Sequence, residues 1–417
     1  MTAPSAAGRT TRGTLSTPVV LILGFVFIDL LGYSLILPLL PYYVTTFGAS
    51  YATAGLLSTA NALAQFIATP FIGRLSDRYG RRPLLIFCIA GTFLSFLLLA
   101  FARSVPMLLL SRVTDGLFGG NIALARAYIT DVTDEKNRAR GLGLIGAVFG
   151  LGFIIGPAMG GFLSRWGYAL PAFVAAGLSL LNLIAVILWL PESLSEVRRA
   201  EMRERERPPI TLGAMLQALR RPCSGPLLHV QLFYALAFTL FQSNFALFAL
   251  AKLRFNAQTT SYVLTYVGML VVLVQGVAIG FIVARVRERR LIFLGSAVLG
   301  VSLILWAFSP SLVWLLLVLA PLALASGVLN TIITSQLTKV VARNETGGIL
   351  GLGASFQSLA QIIAPGLGGL LIQGIGPWSV GILAGILMLW TAAFVYRYIL
   401  SQPEGMDRGV TCTAPAA

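Results

Sequence analysis

The sequence predicts an all-α polytopic membrane protein with twelve transmembrane helices in two pseudo-symmetric six-helix bundles. Three observations lead there. Of 417 residues, 57% are hydrophobic and 11% charged, with a mean hydropathy of +0.85; soluble globular chains carry about 25% charged residues. Apolar stretches able to cross a hydrocarbon core, which takes roughly 20 residues, recur from near residue 18 to near residue 400. The second half of the chain also repeats the first at an offset of about 208 residues.

Taken in order, a polar tail (1–17) precedes helix 1 at 18–40; the apolar run has full helix length, so the tail reads as a lead-in rather than a cleavable signal. Helix 2 (51–73) is followed by Arg74, Arg78, Arg81 and Arg82, and helix 3 (84–103) only by Arg103. Helix 4 (106–130) runs into Lys136, Arg138 and Arg140, whereas helix 5 (142–163) meets Arg165 alone. Helix 6 (169–191) closes a first bundle, 18–191, and leads into a linker, 192–225, with basic residues from Arg198 to Arg221. Pro208-Pro209 and an amphipathic run at 211–220 suit that linker to a membrane surface. In the second bundle, 226–400, helix 7 (226–252) ends at Lys252 and Arg254, and helix 8 (258–284) at Arg285, Arg287, Arg289 and Arg290. Helices 9 to 12 follow at 291–308, 311–338, 349–374 and 377–400, before a tail at 401–417.

Basic residues thus crowd one side and are sparse on the other, which by the positive-inside rule puts both termini in the cytoplasm of a cell (inner or plasma) membrane. The net charge of +15 is then topology and attraction to anionic lipid, not a nucleic-acid footprint. Cys88, Cys223 and Cys412 lack metal or disulfide spacing. No cofactor or metal is expected, and a monomer is.

The repeat is concrete. FIIGPAMGG at 153–161 matches QIIAPGLGG at 361–369, and GRLSDRYGRR at 73–82 has a decayed counterpart in GFIVARVRER at 280–289. These pieces sit on helices 5 and 11, and 2 and 8. Parallel correspondence of that kind implies two bundles related by an axis along the membrane normal.

In the segment Gly73 to Arg82, Gly80 permits a tight turn and Asp77 can accept from the free amides of a helix N-terminus. With Arg78, Arg81 and Arg82 it closely resembles the loop motif of the major facilitator superfamily. The resemblance implies that Asp77 meets the start of helix 11, near Gly348, and that Arg81 pairs with Asp131 at the end of helix 4. Those contacts would latch the halves on the cytoplasmic side in an outward-open state. Ala284 stands where the second half would need the Asp, so a one-sided latch is expected.

Three further segments resemble twelve-helix drug–proton antiporters of the tetracycline-exporter kind. They are Asp29 to Pro41 in helix 1, Arg112 to Gly116 in helix 4, and a helix 5 run of Gly143, Gly152, Gly156, Pro157, Gly160 and Gly161. Gly152, Gly156 and Gly160 share one helix face and allow close backbone packing, while Pro157 bends the helix. The sequence departs from tetracycline exporters at Ser95, where they carry an acid, and in a second half without their embedded acid and histidine.

An ionisable group inside a membrane is a functional candidate by default. Of fifteen acids only Asp29 and Asp115 fall well inside predicted helices. Asp29 lies about 16 Å from the inner face at 1.5 Å per residue, and Arg112 about 9 Å from the outer one. Asp115 shares Arg112's helix face, three residues on. One buried charge cluster of Asp29, Arg112 and Asp115 is therefore expected, in which burial and the guanidinium oppose each other and poise an acid to load and release a proton. Embedded amides nominate a substrate pathway with Tyr33: Gln65, Asn121, Gln242, Asn244, Gln357 and Gln361. Phe241, Phe245 and Trp306 are candidates for an aromatic wall.

The function this implies is secondary transport without enzymatic catalysis: proton-coupled efflux of a lipophilic or amphiphilic small molecule by alternating access. An endogenous lipid-like or metabolite substrate on the same fold is the alternative. A membrane enzyme or non-transporting receptor is disfavoured by the single histidine, the absence of a GxxxxGK[ST] loop and the lack of a sizeable soluble domain.

Overall fold

A computed structural model describes residues 17–194, 212–221, 224–341 and 345–401. The N-terminal tail, most of the linker and the C-terminal tail lie outside the described residues.

Among the described residues the chain is helical throughout, with no strand. The first half comprises α1 (Thr17–Ile36), α2 (Leu40–Thr46), α3 (Tyr51–Tyr79), α4 (Arg81–Ala100), α5 (Val105–Phe118), α6 (Asn121–Val132), α7 (Glu135–Leu163) and α8 (Ala169–Trp189). A short α9 (Leu212–Leu219) precedes the second half: α10 (Gly225–Leu253), α11 (Ala257–Leu273), α12 (Ile279–Arg285), α13 (Glu288–Ala307), α14 (Leu312–Lys339), α15 (Thr346–Gly374) and α16 (Trp378–Val395). Among the described residues eleven helices are long and apolar enough to cross a membrane. The remaining crossing, fourth in order, is made by α5 and α6 together.

Two elements depart from the sequence expectation. Helix 1 stops at Ile36 and restarts as α2, because Pro38 lacks an amide hydrogen and disfavours helical geometry at the residue before it. Helix 4 is broken at Gly119–Gly120. The eighth crossing stays continuous but passes through a π-turn, Val274–Ala278, between α11 and α12.

Packing follows the internal repeat. In the first half α1 lies on α7 and α4 on α8; in the second α10 lies on α15 and α13 on α16. Across the halves α3 meets α15 and α11 meets α7, so each half lends its second and fifth crossings to the interface. The halves touch at the end away from the termini. Tyr42 Oη lies 2.5 Å from Thr260 Oγ1 and donates to the Phe255 carbonyl at 3.1 Å. Thr59 Oγ1 donates to the Ile362 carbonyl at 2.8 Å, and Ala52 N–H donates to Gln373 Oε1 at 3.1 Å. A Cβ on Gly55 would overlap the Pro365 carbonyl, which is how closely α3 and α15 approach. Toward the termini, by contrast, Gly143 and Gly146 on α7 and Gly276 and Gly280 beyond α11 face open space. The molecule is closed at the far end and parted at the end that carries the termini.

Candidate functional site

Asp29 sits midway along α1 and is only partly buried. Its partner is not Arg112. Asn121 Nδ2 donates to Asp29 Oδ1 at 2.8 Å, and the same nitrogen lies 3.4 Å from Thr92 Oγ1 on α4. Arg112 instead turns to the acid on its own helix: its Nη1 is 3.5 Å from Asp115 Oδ2, and both side chains are more than nine-tenths buried. Asn61 Nδ2 donates to Asp115 Oδ2 at 2.9 Å and to the Arg112 carbonyl at 2.9 Å; Ser95 Oγ donates to Asp115 Oδ1 at 3.2 Å. The expected single cluster is therefore two neighbouring sites, a closed Arg112–Asp115 pair and an Asp29–Asn121 pair. The reason is reach, since an arginine pairs most readily with an acid three residues on along its own face. Tyr33, one turn beyond Asp29 on α1, is exposed.

The break in the fourth crossing builds this arrangement. At 3.6 residues per turn, an unbroken helix would set Asn121 about half a turn away from Arg112. Gly119 and Gly120 interrupt the ladder, and α6 restarts with Asn121 as its first residue, aimed at α1. The Gly119 carbonyl freed by the break accepts from Gln65 Nε2 at 2.7 Å. Intramembrane backbone can leave the helix only where such a partner re-satisfies it. Gln65, expected on a substrate pathway, is thus engaged in holding the break.

The second-half candidates divide. Gln242 and Gln357 are half-buried, with Gln357 Nε2 donating to Thr239 Oγ1 at 3.3 Å, and Gln361 is exposed. Asn244 is fully buried and donates to the Ala364 carbonyl at 3.0 Å, so it bridges α10 to α15 rather than lining a path. Phe241, Phe245 and Trp306 are likewise buried, with Phe241 and Trp306 rings 5.0 Å apart edge to face. They form the core of the second half, not a cavity wall.

The helix 5 glycines pack where shared-face geometry puts them. Gly152, Gly156 and Gly160 lie against Leu30, Ser34 and Leu35 of α1, and Ser34 Oγ donates to the Gly152 carbonyl at 2.8 Å. Pro157 falls within α7 beside them, Gly161 faces Ser261 of the other half, and Gly143 contacts nothing.

At the termini end, Gly80 alone separates α3 from α4, with φ +108°, a backbone that only glycine adopts without strain. Arg81 joins three groups: Asp77 at 2.6 Å, Asp131 at 3.1 Å and the Ser76 hydroxyl. Gly73 faces open space, Arg78 lies over the Tyr79 ring, and Arg82 donates to the Ile187 carbonyl at 2.6 Å. Glu192, which sequence inspection passed over as a linker residue, caps α4 by accepting from the amides of Arg81 and Arg82 at 2.9 and 3.2 Å.

The second half keeps a counterpart of one contact in this loop. About 208 residues on, Glu288 and Lys339 occupy the places of Arg81 and Asp131, and pair at 2.7 Å with the charges exchanged. Ala284 leaves the Asp77 position itself without an acid, while the neighbouring pair survives with its polarity reversed.

A model of the Major Facilitator Superfamily matches residues 22–360 and 227–409. Multidrug resistance protein 2 of Bacillus subtilis (strain 168) is 29% identical over 362 residues, covering 86% of this chain and 89% of its own length. The class E tetracycline resistance protein of Escherichia coli is 31% identical over 363 residues, covering 84% and 87%. Among solved structures, a bacterial homologue of the human lysosomal transporter Spinster, inward-facing and occupied, superposes with a TM-score of 0.71 at 17% identity, covering 93% of this chain and 98% of that one.

Proposed function

The chain belongs to the major facilitator superfamily, and we propose that it exports lipophilic or amphiphilic small molecules in exchange for protons, by alternating access. One observation carries the coupling: Asp29 stands at mid-span, partly exposed, bonded to an amide and to no cation. A carboxylate so placed gains or loses its proton without breaking an ion pair, since the adjacent Arg112 is engaged by Asp115. Names of relatives support the cargo class: multidrug resistance in one, tetracycline resistance in another.

The charge asymmetry supports termini in the cytoplasm, and in that reading the present conformer is inward-facing. Its far end is bridged by Tyr42, Thr59 and Gln373, and the opening that proton exchange at Asp29 requires is assigned to the cytoplasmic end, where Gly143, Gly146, Gly276 and Gly280 face open space. In the opposite conformer the cytoplasmic ends close, and Asp77 docks at the start of α15 as the loop motif implies. Arg81 and Asp131 hold that loop ready.

The test is counterflow in liposomes of the purified protein, with ethidium as a cationic probe and a neutral amphiphile beside it, run with and without a pH gradient. Gradient-driven uptake of either supports export of amphiphiles. Asp29→Asn abolishes proton movement while leaving probe binding intact; undiminished proton movement in that variant overturns the coupling scheme. Uptake of neither probe returns the protein to the metabolite or lipid-like alternative.

A further inference from the structure

We propose that Asn121 is a positioning residue for the proton carrier: its side-chain amide turns over with the protonation of Asp29, donating to the carboxylate and accepting from the carboxylic acid, with Thr92 following. The inference rests on the antiport function proposed above.

An ionised carboxylate only accepts hydrogen bonds, whereas a protonated one also donates. An arginine or lysine serves the first state alone. A primary amide carries two donors and an acceptor in one plane, and a half-turn about its last torsion exchanges them. Asn121 is 5% exposed, its Nδ2 meets Asp29 Oδ1 at 2.8 Å, and its Oδ1 is buried without a partner. The acceptor that a protonated Asp29 needs is therefore already in the site, on the far edge of the amide. Thr92 Oγ1, 3.4 Å from Nδ2, now accepts; after the half-turn its hydroxyl donates to Oδ1. The step moves one proton. An O–H bond forms on Asp29 Oδ1 as one breaks on a hydronium ion in the aqueous opening, and the new O–H points at Asn121 Oδ1.

Among the described residues, the titratable groups that face Asp29 do not offer this. Asp115 faces Asp29 from the fourth crossing, with Arg112 engaged on it; Cys88 faces it from α4; Tyr33 follows on α1 itself. The packed part of α7 from 141 to 163, and all of α8, carry no titratable side chain.

The deciding experiment is pH-difference infrared spectroscopy of the full chain in liposomes, which needs no substrate. In the unsubstituted protein the Asp29 carboxylic-acid band and an asparagine side-chain amide band are expected to change with one common midpoint. Both vanish in Asp29→Asn. Asn121→Leu moves the carboxyl midpoint alkaline by about one pH unit, since the charge-assisted bond it loses to the carboxylate is stronger than the neutral bond it loses to the acid, and Asn121→Gln restores most of it. Should Asn121→Leu fail to fold, the amide band of the unsubstituted protein and the pair Thr92→Val (midpoint moved) and Thr92→Ser (midpoint kept) decide. An amide band silent through the carboxyl transition, or an unmoved midpoint in folded Asn121→Leu, overturns the role of Asn121 alone. An Asp29 that never titrates between about pH 5 and 9 sinks the antiport reading beneath it.

Discussion

Gln65 on α3 reaches the fourth crossing at its break: its Nε2 lies 2.7 Å from the Gly119 carbonyl oxygen. Gln65→Met keeps the side-chain length and removes the donor, leaving a carbonyl without its partner inside the membrane. The expected cost is about 1–3 kcal/mol, read as a lower midpoint of thermal unfolding in detergent. Gln65→Glu, which repels the carbonyl when ionised, is expected to cost more. A Gln65→Met protein as stable as the original would show that the break is held some other way.

The seal at the far end hangs on few bonds. Tyr42→Phe removes the hydroxyl that meets Thr260 and the Phe255 carbonyl. A net hydrogen bond contributes about 1 kcal/mol, so the balance of conformers is expected to move roughly fivefold toward the form open at the far end. Spin-label distances between the far ends of α2 and α11 measure that shift, and no lengthening there would remove Tyr42 from the seal.

The two charge-exchanged pairs at the termini end predict unequal costs. Arg81 and Asp131 side chains are 5% and 8% exposed, whereas Lys339 and Glu288 are 56% and 21% exposed. Breaking a buried pair costs about 3–5 kcal/mol, while an exposed one is worth about 0–1 kcal/mol. Asp131→Asn is therefore expected to unfold or trap the protein, and Glu288→Gln to be mild. The double variant Glu288→Lys with Lys339→Glu should transport normally. Urea or thermal unfolding of the three, together with uptake, tests the order.

Close approach of α1 and α7 depends on Gly156, where a Cβ would overlap the Ser34 side chain. Gly156→Val is expected to lose about 1–3 kcal/mol through overpacking, and Ser34→Gly in the same chain to recover part of it. Recovery is the informative readout, since a defect unrelated to this contact would not respond to Ser34.

Sequence alone determined the class of this protein, the number of its crossings and the pairing of its halves. Hydrophobic length, charge asymmetry and a repeat are properties of the chain that need no neighbours, and Gly80 announced its turn because only glycine tolerates that backbone. Tertiary structure decided the partners. Asp29, Arg112 and Asp115 were legible as the charges that matter, but which bonds which depends on helix rotation, and a two-glycine break rotated Asn121 into a place that helical periodicity denied it. Asn244 and Trp306 looked like lining groups and are buried contacts, because polarity and aromaticity say nothing of which face a neighbouring helix covers. The Glu288–Lys339 pair was hidden for a related reason: an ion pair keeps its attraction when both signs are exchanged, so likeness of residues misses what closeness in space preserves.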